Sequence, residues 1–571
     1  MSDSTGRKNL VLAAMIFAVA MTFIDQTIVS IAVPEVQREL GLSATGVQWM
    51  VNAYLLSLAA LFAFGGRLSD IAGHRKMVVA GVLVFAFSSA MCGLTPKGSW
   101  AETWIVTFRV LQGVGGAIMY PAALAIVVGT FELRERGKAL AIFFGIAGGL
   151  TAIGPILGGF LTEWTWRAIF WVNIPVAVVA LVLIWISKPV TDHRKAPLDW
   201  PGTVLIAAGV GLSVFGFQQS ALWGWHNPGT WLCIVGGVLL LVVFYRYERT
   251  KADPLVRVAI FKVRAFFVEN LVLFITMLVF ISVFFFSSEY AQISLGDSAT
   301  KAGEFLLYFF IGFAVAAQVG GRMLDRAGAK RPVVVGCGIA AVGFYLWAGE
   351  VTKLSFHAQQ WYIIMAGAGM GMMLGPSNTD AVNRASRLSY GEATGITQTV
   401  RNYAGSLGLA VLGTVLIVQE RSRLTSSLLG LGLPPSTAKS VADSISESRG
   451  GSAPSGSGSS GALVDKITHV ARVDFASSIR TVLLIMAAVM AVGAVVALVG
   501  LEPGRQADPV DPGDPGGTAL AVTGGGAEDG AGAPVGPTPV GPGAGSGPAV
   551  PPAPDPALDP TPGPTPGPTP G

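Results

Sequence analysis

The chain has 571 residues and is 52% apolar but only 13% charged, whereas a soluble domain carries about 25% charged residues. A deficit of that size over this length excludes one large water-soluble core and requires many membrane crossings. The net charge of +4 is small and spread along the chain, which excludes a nucleic-acid partner, and the three cysteines, Cys92, Cys233 and Cys337, fall inside apolar runs and imply no disulfide framework.

A helix that crosses a hydrocarbon layer of ~30 Å needs about 20 mostly apolar residues. Such segments run in chain order over 10–33, 47–66, 77–95, 103–128, 138–161, 167–187, 201–220 and 229–245. They continue over 266–288, 303–321, 332–350, 359–382, 393–418 and 479–501, which makes fourteen predicted spans. The opening MSDSTGRKNL precedes an apolar run of about 22 residues, long for the core of a signal peptide, so the first span is expected to stay uncleaved.

With the N-terminus placed in the cytoplasm, the inner segments hold 24 Arg and Lys, and the short outer loops hold five (Arg38, Lys97, Arg167, Lys301 and Lys353). Positive residues collect on the cytoplasmic side of membrane proteins. The expectation is a multi-pass protein of a bacterial plasma membrane with both termini inside. Arg outnumbers Lys by 25 to 13, which fits a GC-rich bacterial genome. Two segments are expected outside the membrane. Residues 419–478 form a long outer loop whose middle, GGSAPSGSGSSG, has the composition of a flexible linker. The tail 502–571 carries 19 of the 34 prolines and is expected to be disordered in the cytoplasm.

The stretch GGRLSDIAGHRKMVVAG (65–81) recurs as GGRMLDRAGAKRPVVVG (320–336), with nine identities in seventeen positions at an offset of 255. Both copies lie between two spans on the inner side. Repeated membrane halves mark one large class of secondary transporters. Here 1–187 and 266–501 are the two halves, and 188–265 adds two further spans and their linkers.

The chain resembles the fourteen-span drug:proton antiporter family of the major facilitator superfamily, the multidrug and antibiotic exporters. The motif G-x-L-x-D-x-x-G-x-[RK]-[RK] stands as GRLSDIAGHRK, the first-helix motif as IDQTIVSIAVP and the fourth-helix motif as RVLQGVGGAIMYPA. The fifth-helix antiporter motif stands as GPILGGFL, followed by WRAIFWVNIP. Ser30 replaces a common Asn, and the eighth span lacks a proline expected after its LL pair. The resemblance covers 10–418 and the last span. It implies an all-α membrane fold, two six-helix bundles with two extra helices between them.

Asp25 is an acid inside the first apolar run, and an ionised carboxylate at helix centre costs roughly 2.5–3.5 kcal/mol. At ~1.5 Å per residue it lies about 22 Å from the inner face. Arg109 in the fourth span, which runs the other way, lies ~9 Å from the outer face by the same rise, so the two charges are expected at one depth. A carboxylate near a fixed positive charge in a cavity that changes sides can load and release a proton. The structural alternative is a static ion pair that locks two helices. The resemblance adds that this arginine is implicated in proton coupling.

The five histidines lie in predicted loops, so carboxylates are the available proton carriers. Glu269, Glu289 and Glu304 lie near span ends and are expected to be solvated there. Asp380 in MMLGPSNTDAVNR is a second candidate carrier. The loop GRLSDIAGHRK is expected to be a cytoplasmic gate. In it Gly66 and Gly73 allow close approach and a turn, Asp70 accepts hydrogen bonds from a helix N-terminus, and Arg75 and Lys76 anchor the inner side. The resemblance points to SYGEATG as the partner of Asp70. Gly154, Pro155, Gly158 and Gly159 form a hinge of small residues around a proline, which in the resembling family goes with antiport. Arg401 is expected to snorkel inward without a chemical role, and the runs VFFFSSEY and MAGAGMGMM are expected to pack more than to line a pocket.

The expected function is export of hydrophobic, often cationic, compounds in exchange for protons by alternating access. The small-molecule substrate, the proton and the lipid bilayer are the expected partners, and the protein is expected to act as a monomer. No G-x-x-x-x-G-K-[ST] sequence is present, so a secondary energy source is expected unless a partner chain supplies ATP, and the resemblance implies the proton gradient. No cofactor, metal or enzymatic activity is expected. The alternatives are a dedicated exporter of one endogenous metabolite or antibiotic, giving self-resistance, and a non-transporting membrane scaffold.

Overall fold

The protein is seen as a computed structural model that describes residues 2–131, 133–189, 198–251, 253–383, 390–448 and 459–504. Among these there is no strand. The first half comprises α1 (Ser2–Leu40), α2 (Ala44–Ala72), α3 (His74–Gly93), α4 (Ala101–Thr130), α5 (Leu133–Trp164), and α6 (Ala168–Trp171) running into α7 (Asn173–Ser187). Next come α8 (Trp200–Trp223) and α9 (Pro228–Glu248). The second half holds α10 (Arg264–Ile293), α11 (Ala299–Ala327), α12 (Lys330–Glu350), α13 (Phe356–Asn383), α14 (Tyr390–Gly430), α15 (Pro435–Ser448) and α16 (Ser459–Gly500).

Each of the fourteen predicted spans falls on one of these helices, α6 and α7 together making one. Twelve helices among the described residues are long and apolar enough to cross a membrane. The other two are α5, with 32 residues, and α13, with 28, the latter diluted by glycine, methionine and amide residues. The count of fourteen therefore rests on these two. The protein is a multi-pass membrane protein.

The sequence writes the helix ends locally. Ser43 and Ser298 cap α2 and α11 by accepting from the N–H groups of Gly46 and Lys301, which satisfies donors the first turn leaves orphaned. Asp199 does the same for α8, with Pro201 in the first turn. Gly73 closes α2 at φ +97°, and Gly328 closes α11 at φ +77°, a region that residues with a Cβ avoid.

The repeat is a repeat in three dimensions. A Cβ added to Gly65 would collide with the backbone of Ala117 on α4, and one added to Gly320 with that of Met372 on α13. The missing side chains bring α2 onto α4 and α11 onto α13 at matching places. Likewise α5 lays Gly154 and Gly158 on Thr27 and Ile28 of α1, while α14 lays Gly405 and Gly408 on Ile281 and Leu278 of α10.

The end of the bundle that carries the start of α1 is called the near end. From the middle of the bundle toward the far end, the two halves meet along two seams. On one, Gly159 of α5 faces Thr300 of α11, and Gly303 faces the Pro155 carbonyl. On the other, Gly413 of α14 faces Gln48 of α2. The Gln292 amide of α10 also donates to the Ile31 carbonyl of α1 at 2.9 Å.

The extra helix α8 lies over the second seam and bonds to both halves. Its Gln218 amide is 2.7 Å from that of Asn52 on α2, and Asn52 accepts from Ser406 on α14. Ser213 lies 3.0 Å from the Tyr403 hydroxyl, and Thr414 donates to the Phe217 carbonyl at 2.9 Å.

The segment 419–478, expected as a loop, is largely helical. α14 continues to Gly430, α15 follows, and α16 is formed from Ser459, so His469 sits in a helix as well. Leu424, Leu428, Ala438 and Ala442 make a small buried cluster there, with Ile467 and Ala471 packed on it. Apolar residues three and four apart supply that face, a pattern that the serine-rich composition hides. Residues 450–458 of the expected linker and the tail from 505 lie outside the described residues.

Candidate functional site

Asp25 on α1 and Arg109 on α4 meet inside the first half. Asp25 Oδ2 lies 2.6 Å from Arg109 Nη1, and both side chains are almost wholly buried. Gln112, one turn along α4 from Arg109, donates to Asp25 Oδ1 at 2.9 Å and accepts from Arg109 Nη1 at 2.7 Å. Arg109 Nε donates to the Met50 carbonyl on α2 at 2.8 Å, and the guanidinium lies 4.6 Å from the centre of the Tyr54 ring. A buried pair offsets its desolvation only when its remaining hydrogen bonds are made, and here both carboxylate oxygens are engaged. The sequence reading named the pair but missed Gln112. Its place three residues after Arg109, on the same helix face, was the available signal.

Only one of the two charges can exchange a proton, because a guanidinium stays protonated in proteins. Protonation of Asp25 would leave Arg109 with the Met50 carbonyl and Gln112 as acceptors.

A narrow cavity of about 20 Å³ lies between the halves, room for roughly one water molecule. From the first half it is lined by Thr22, Phe23 and Gln26 of α1, within one turn of Asp25, and by Phe62 and Tyr120. Tyr120 sits between the Phe23 and Phe62 rings, with centroids at 5.7 and 5.3 Å. From the second half come Met277 and Phe280, and then Gln398, Arg401 and Asn402 of α14. Gln398 donates to the Tyr120 hydroxyl at 2.9 Å, across the halves. Arg401 thus faces the cavity rather than snorkelling toward a membrane face, because Gln398 and Arg401 are three residues apart and share the inward side of α14. The cavity's aromatic residue on α10 is Phe280, before the VFFFSSEY run. In MAGAGMGMM, Gly367 and Gly371 abut the backbone of α11, Gly369 abuts that of α12, and Met370 and Met373 are buried. That run packs helices.

In the loop GRLSDIAGHRK, Gly73 makes the expected turn. The close approach belongs to Gly65 instead of Gly66, since a Cβ on Gly66 would lie 3.6 Å from Pro121 Cβ, in ordinary contact. Consecutive helical residues point about 100° apart, so Gly65 is pressed on the α4 backbone whereas Gly66 meets only the Pro121 side chain. Asp70 is half exposed, with His74 Nε2 at 3.9 Å. Arg75 is partly buried and Lys76 exposed. The side chains of Tyr390–Glu392, and Ser389 altogether, lie outside the described residues, as does the contact expected for Asp70 there.

In GPILGG, Gly154 and Gly158 face α1, whereas Gly159 faces the other half, where a Cβ would stand 2.8 Å from Thr300 Cα. Ser298 donates to Glu163 at 2.8 Å just beyond. The hydrogen bond from Ser298 holds the exposed Glu163 carboxyl below its ordinary value.

Glu304 is exposed, as expected near a helix end. Glu269 and Glu289 differ from expectation, because both are fully buried on α10. Proximity to a span end predicts water only if the helix face looks outward, and α10 is enclosed along most of its length. Glu269 accepts from Ser377 of α13 at 2.6 Å, and Asp380, one turn further on α13, is buried too.

The solved structures most like this fold include a D-xylose-proton symporter, 12% identical with a TM-score of 0.56, which covers 86% of this chain and 98% of that one. Another is a bacterial homologue of the human lysosomal transporter Spinster in an inward-facing, unoccupied conformation, 17% identical with a TM-score of 0.55, covering 86% of this chain and 98% of that one. At such identities the likeness shows the fold alone.

Among curated proteins, the tetracenomycin C resistance and export protein of Streptomyces glaucescens is 33% identical over 73% of this chain and 77% of its own length. The puromycin resistance protein pur8 of Streptomyces alboniger is 33% identical over 71% and 81%. The multidrug transporter protein MdtP of Bacillus subtilis is 28% identical over 74% and 78%. The model of the Major Facilitator Superfamily matches residues 15–409. With that match and the repeated glycine contacts, the chain belongs to the Major Facilitator Superfamily.

Proposed function

We propose that this carrier exports hydrophobic drugs or antibiotics from a bacterial cell in exchange for protons, with Asp25 as the coupling carboxylate. The observation that carries the reading is the buried Asp25–Arg109–Gln112 cluster, placed within one turn of a cavity between the halves. The names of the relatives supply the substrate class. The near end and both termini lie in the cytoplasm in this reading, which the excess of Arg and Lys at that end supports.

In this orientation the seams described above close the outer end. Transport needs the seam of Gly159 and Thr300 to part while the near end closes, with the Asp70 loop as the inner gate and GPILGG as the rocking surface. All fourteen helices cross the membrane, and the unit is a monomer. Proton entry on Asp25 removes one charge of the pair and so changes what holds α1 to α4, which couples the proton to the movement. Asp380, buried between helices of the second half, is the alternative carrier. The proton gradient supplies the energy, and no cofactor takes part.

A dedicated exporter of one antibiotic is the second reading, favoured by relatives named for tetracenomycin C, puromycin and, in Amycolatopsis lactamdurans, cephamycin.

The test is substrate-triggered proton release from energised inverted vesicles, with a panel of dyes and antibiotics, comparing wild type with Asp25→Asn at equal insertion. Release in wild type and its loss in the variant is the expected result, and the breadth of the panel separates multidrug from dedicated export. Equal release in both would move the role to Asp380.

A further inference from the structure

The cavity between the halves contains a charge with no counterpart. Arg401 lines it and makes no ion pair among the described residues, and its Nε has no hydrogen-bond partner. No carboxylate lines the cavity beside it. Asp25 is one residue from the lining Gln26, but both of its oxygens are held by Arg109 and Gln112. The Tyr120 hydroxyl is engaged by Gln398, and Asn402 turns its amide to the Gln398 carbonyl at 2.8 Å. What remains unused on this wall is a guanidinium, opposite the Phe23, Tyr120 and Phe62 rings.

An arginine inside a membrane bundle is expensive, and such residues mark ligand paths when they have no internal partner. A guanidinium binds a carboxylate or a phenolate by charge-assisted, often paired hydrogen bonds, whereas it repels an ammonium group in the same space. Facing aromatic rings suit a flat apolar body.

We propose that Arg401 anchors an acidic group on the transported molecule, so that this site takes planar aromatic acids in preference to neutral or cationic drugs. The proposal rests on the export reading for the direction of transport, and it replaces the expectation of cationic substrates. Gln26 and Asn402 offer neutral polar contacts beside the anchor. The cavity as it stands holds about one water, so the acid enters when the near end opens.

The test uses the full-length chain in lipid nanodiscs and three probes with one ring system, anthraquinone-2-carboxylic acid, its carboxamide and 2-aminomethylanthraquinone. Binding is read by fluorescence at pH 7.5. The acid should bind about tenfold more tightly than the amide, and the amine should bind most weakly. Arg401→Gln should bring acid and amide within about twofold of each other. Arg401→Lys, which keeps the charge but not the fork, should retain part of the preference and serves if the Gln variant fails to fold.

A wild-type preference for the amide or amine would overturn the proposal. So would an acid preference that survives in Arg401→Gln, or a folded wild type that binds none of the three. Binding is read without a gradient, so loss of proton-coupled flux with an intact acid preference would count against the export reading alone.

Discussion

Asp25 Oδ2 stands 2.6 Å from Arg109 Nη1, although 84 residues separate them and their helices run in opposite directions. Removing one partner of such a pair leaves a buried charge uncompensated, at a cost of about 3–5 kcal/mol. Arg109→Ala should therefore destabilise the protein strongly. Asp25→Asn should cost less, since the amide still meets Gln112, but should abolish coupling. The double variant Asp25→Asn/Arg109→Gln should be more stable than Arg109→Ala alone. Thermal unfolding in detergent checks the order, and equal losses in all three would show that the pair is not held by its charges.

The two glycines at the end of α2 should respond differently. Gly65→Ala pushes a methyl into the Ala117 backbone and should cost about 1–3 kcal/mol. Gly66→Ala has room and should be neutral, or stabilising by up to about 1 kcal/mol, through better helix propensity. Thermal unfolding of the two variants side by side is decisive, since similar losses would put both glycines against the α4 backbone.

A side chain at Gly159 should hold the far end apart. Its Cβ would meet Thr300 Cα at 2.8 Å, and backbone cannot yield as a flexible side chain can. In Gly159→Val, spin labels at Trp164→Cys and Lys301→Cys should move apart relative to the same pair without the valine, and transport should fall. An unchanged distance distribution would remove this contact from the closing surface.

Glu163 ties the end of α5 to the start of α11 through Ser298, and its carboxyl is held below its ordinary value of 4.5. A lowered value means that the contact contributes fully above that pH and is lost as pH falls through the lowered value. As pH falls below 4.5 the distance between the same spin labels should rise in wild type, and Glu163→Gln should flatten that response. The group is exposed, so the effect should be small and weakened by salt.

The sequence made the Asp25–Arg109 meeting legible because two rare charges in long apolar runs can be placed by counting residues along antiparallel helices. Gly73 was equally legible, since the turn demands φ > 0. What one dimension hides is azimuth. Which of Gly65 and Gly66 is pressed on the α4 backbone, whether Glu269 and Glu289 look inward, and whether Arg401 points to a membrane face or to the cavity all depend on how each helix is rotated against neighbours distant in sequence. The helical character of 419–430 and 459–478 was masked for another reason, because a serine-rich composition outweighed a sparse apolar face of leucine and alanine.

The bridging position of α8 restricts how the molecule can be reached from its surroundings. On the side of α2 and α14, Asn52, Ser406 and Tyr403 are roofed by Gln218 and Ser213. On the side of α5 and α11, Ile153, Ile156 and Phe160 are exposed. A bilayer-soluble photoreactive probe should accordingly label Phe160 and leave Asn52 unmarked. A greasy molecule already dissolved in the membrane can therefore touch the outer surface of α5 directly, whereas the flank of α2 and α14 is shuttered by α8.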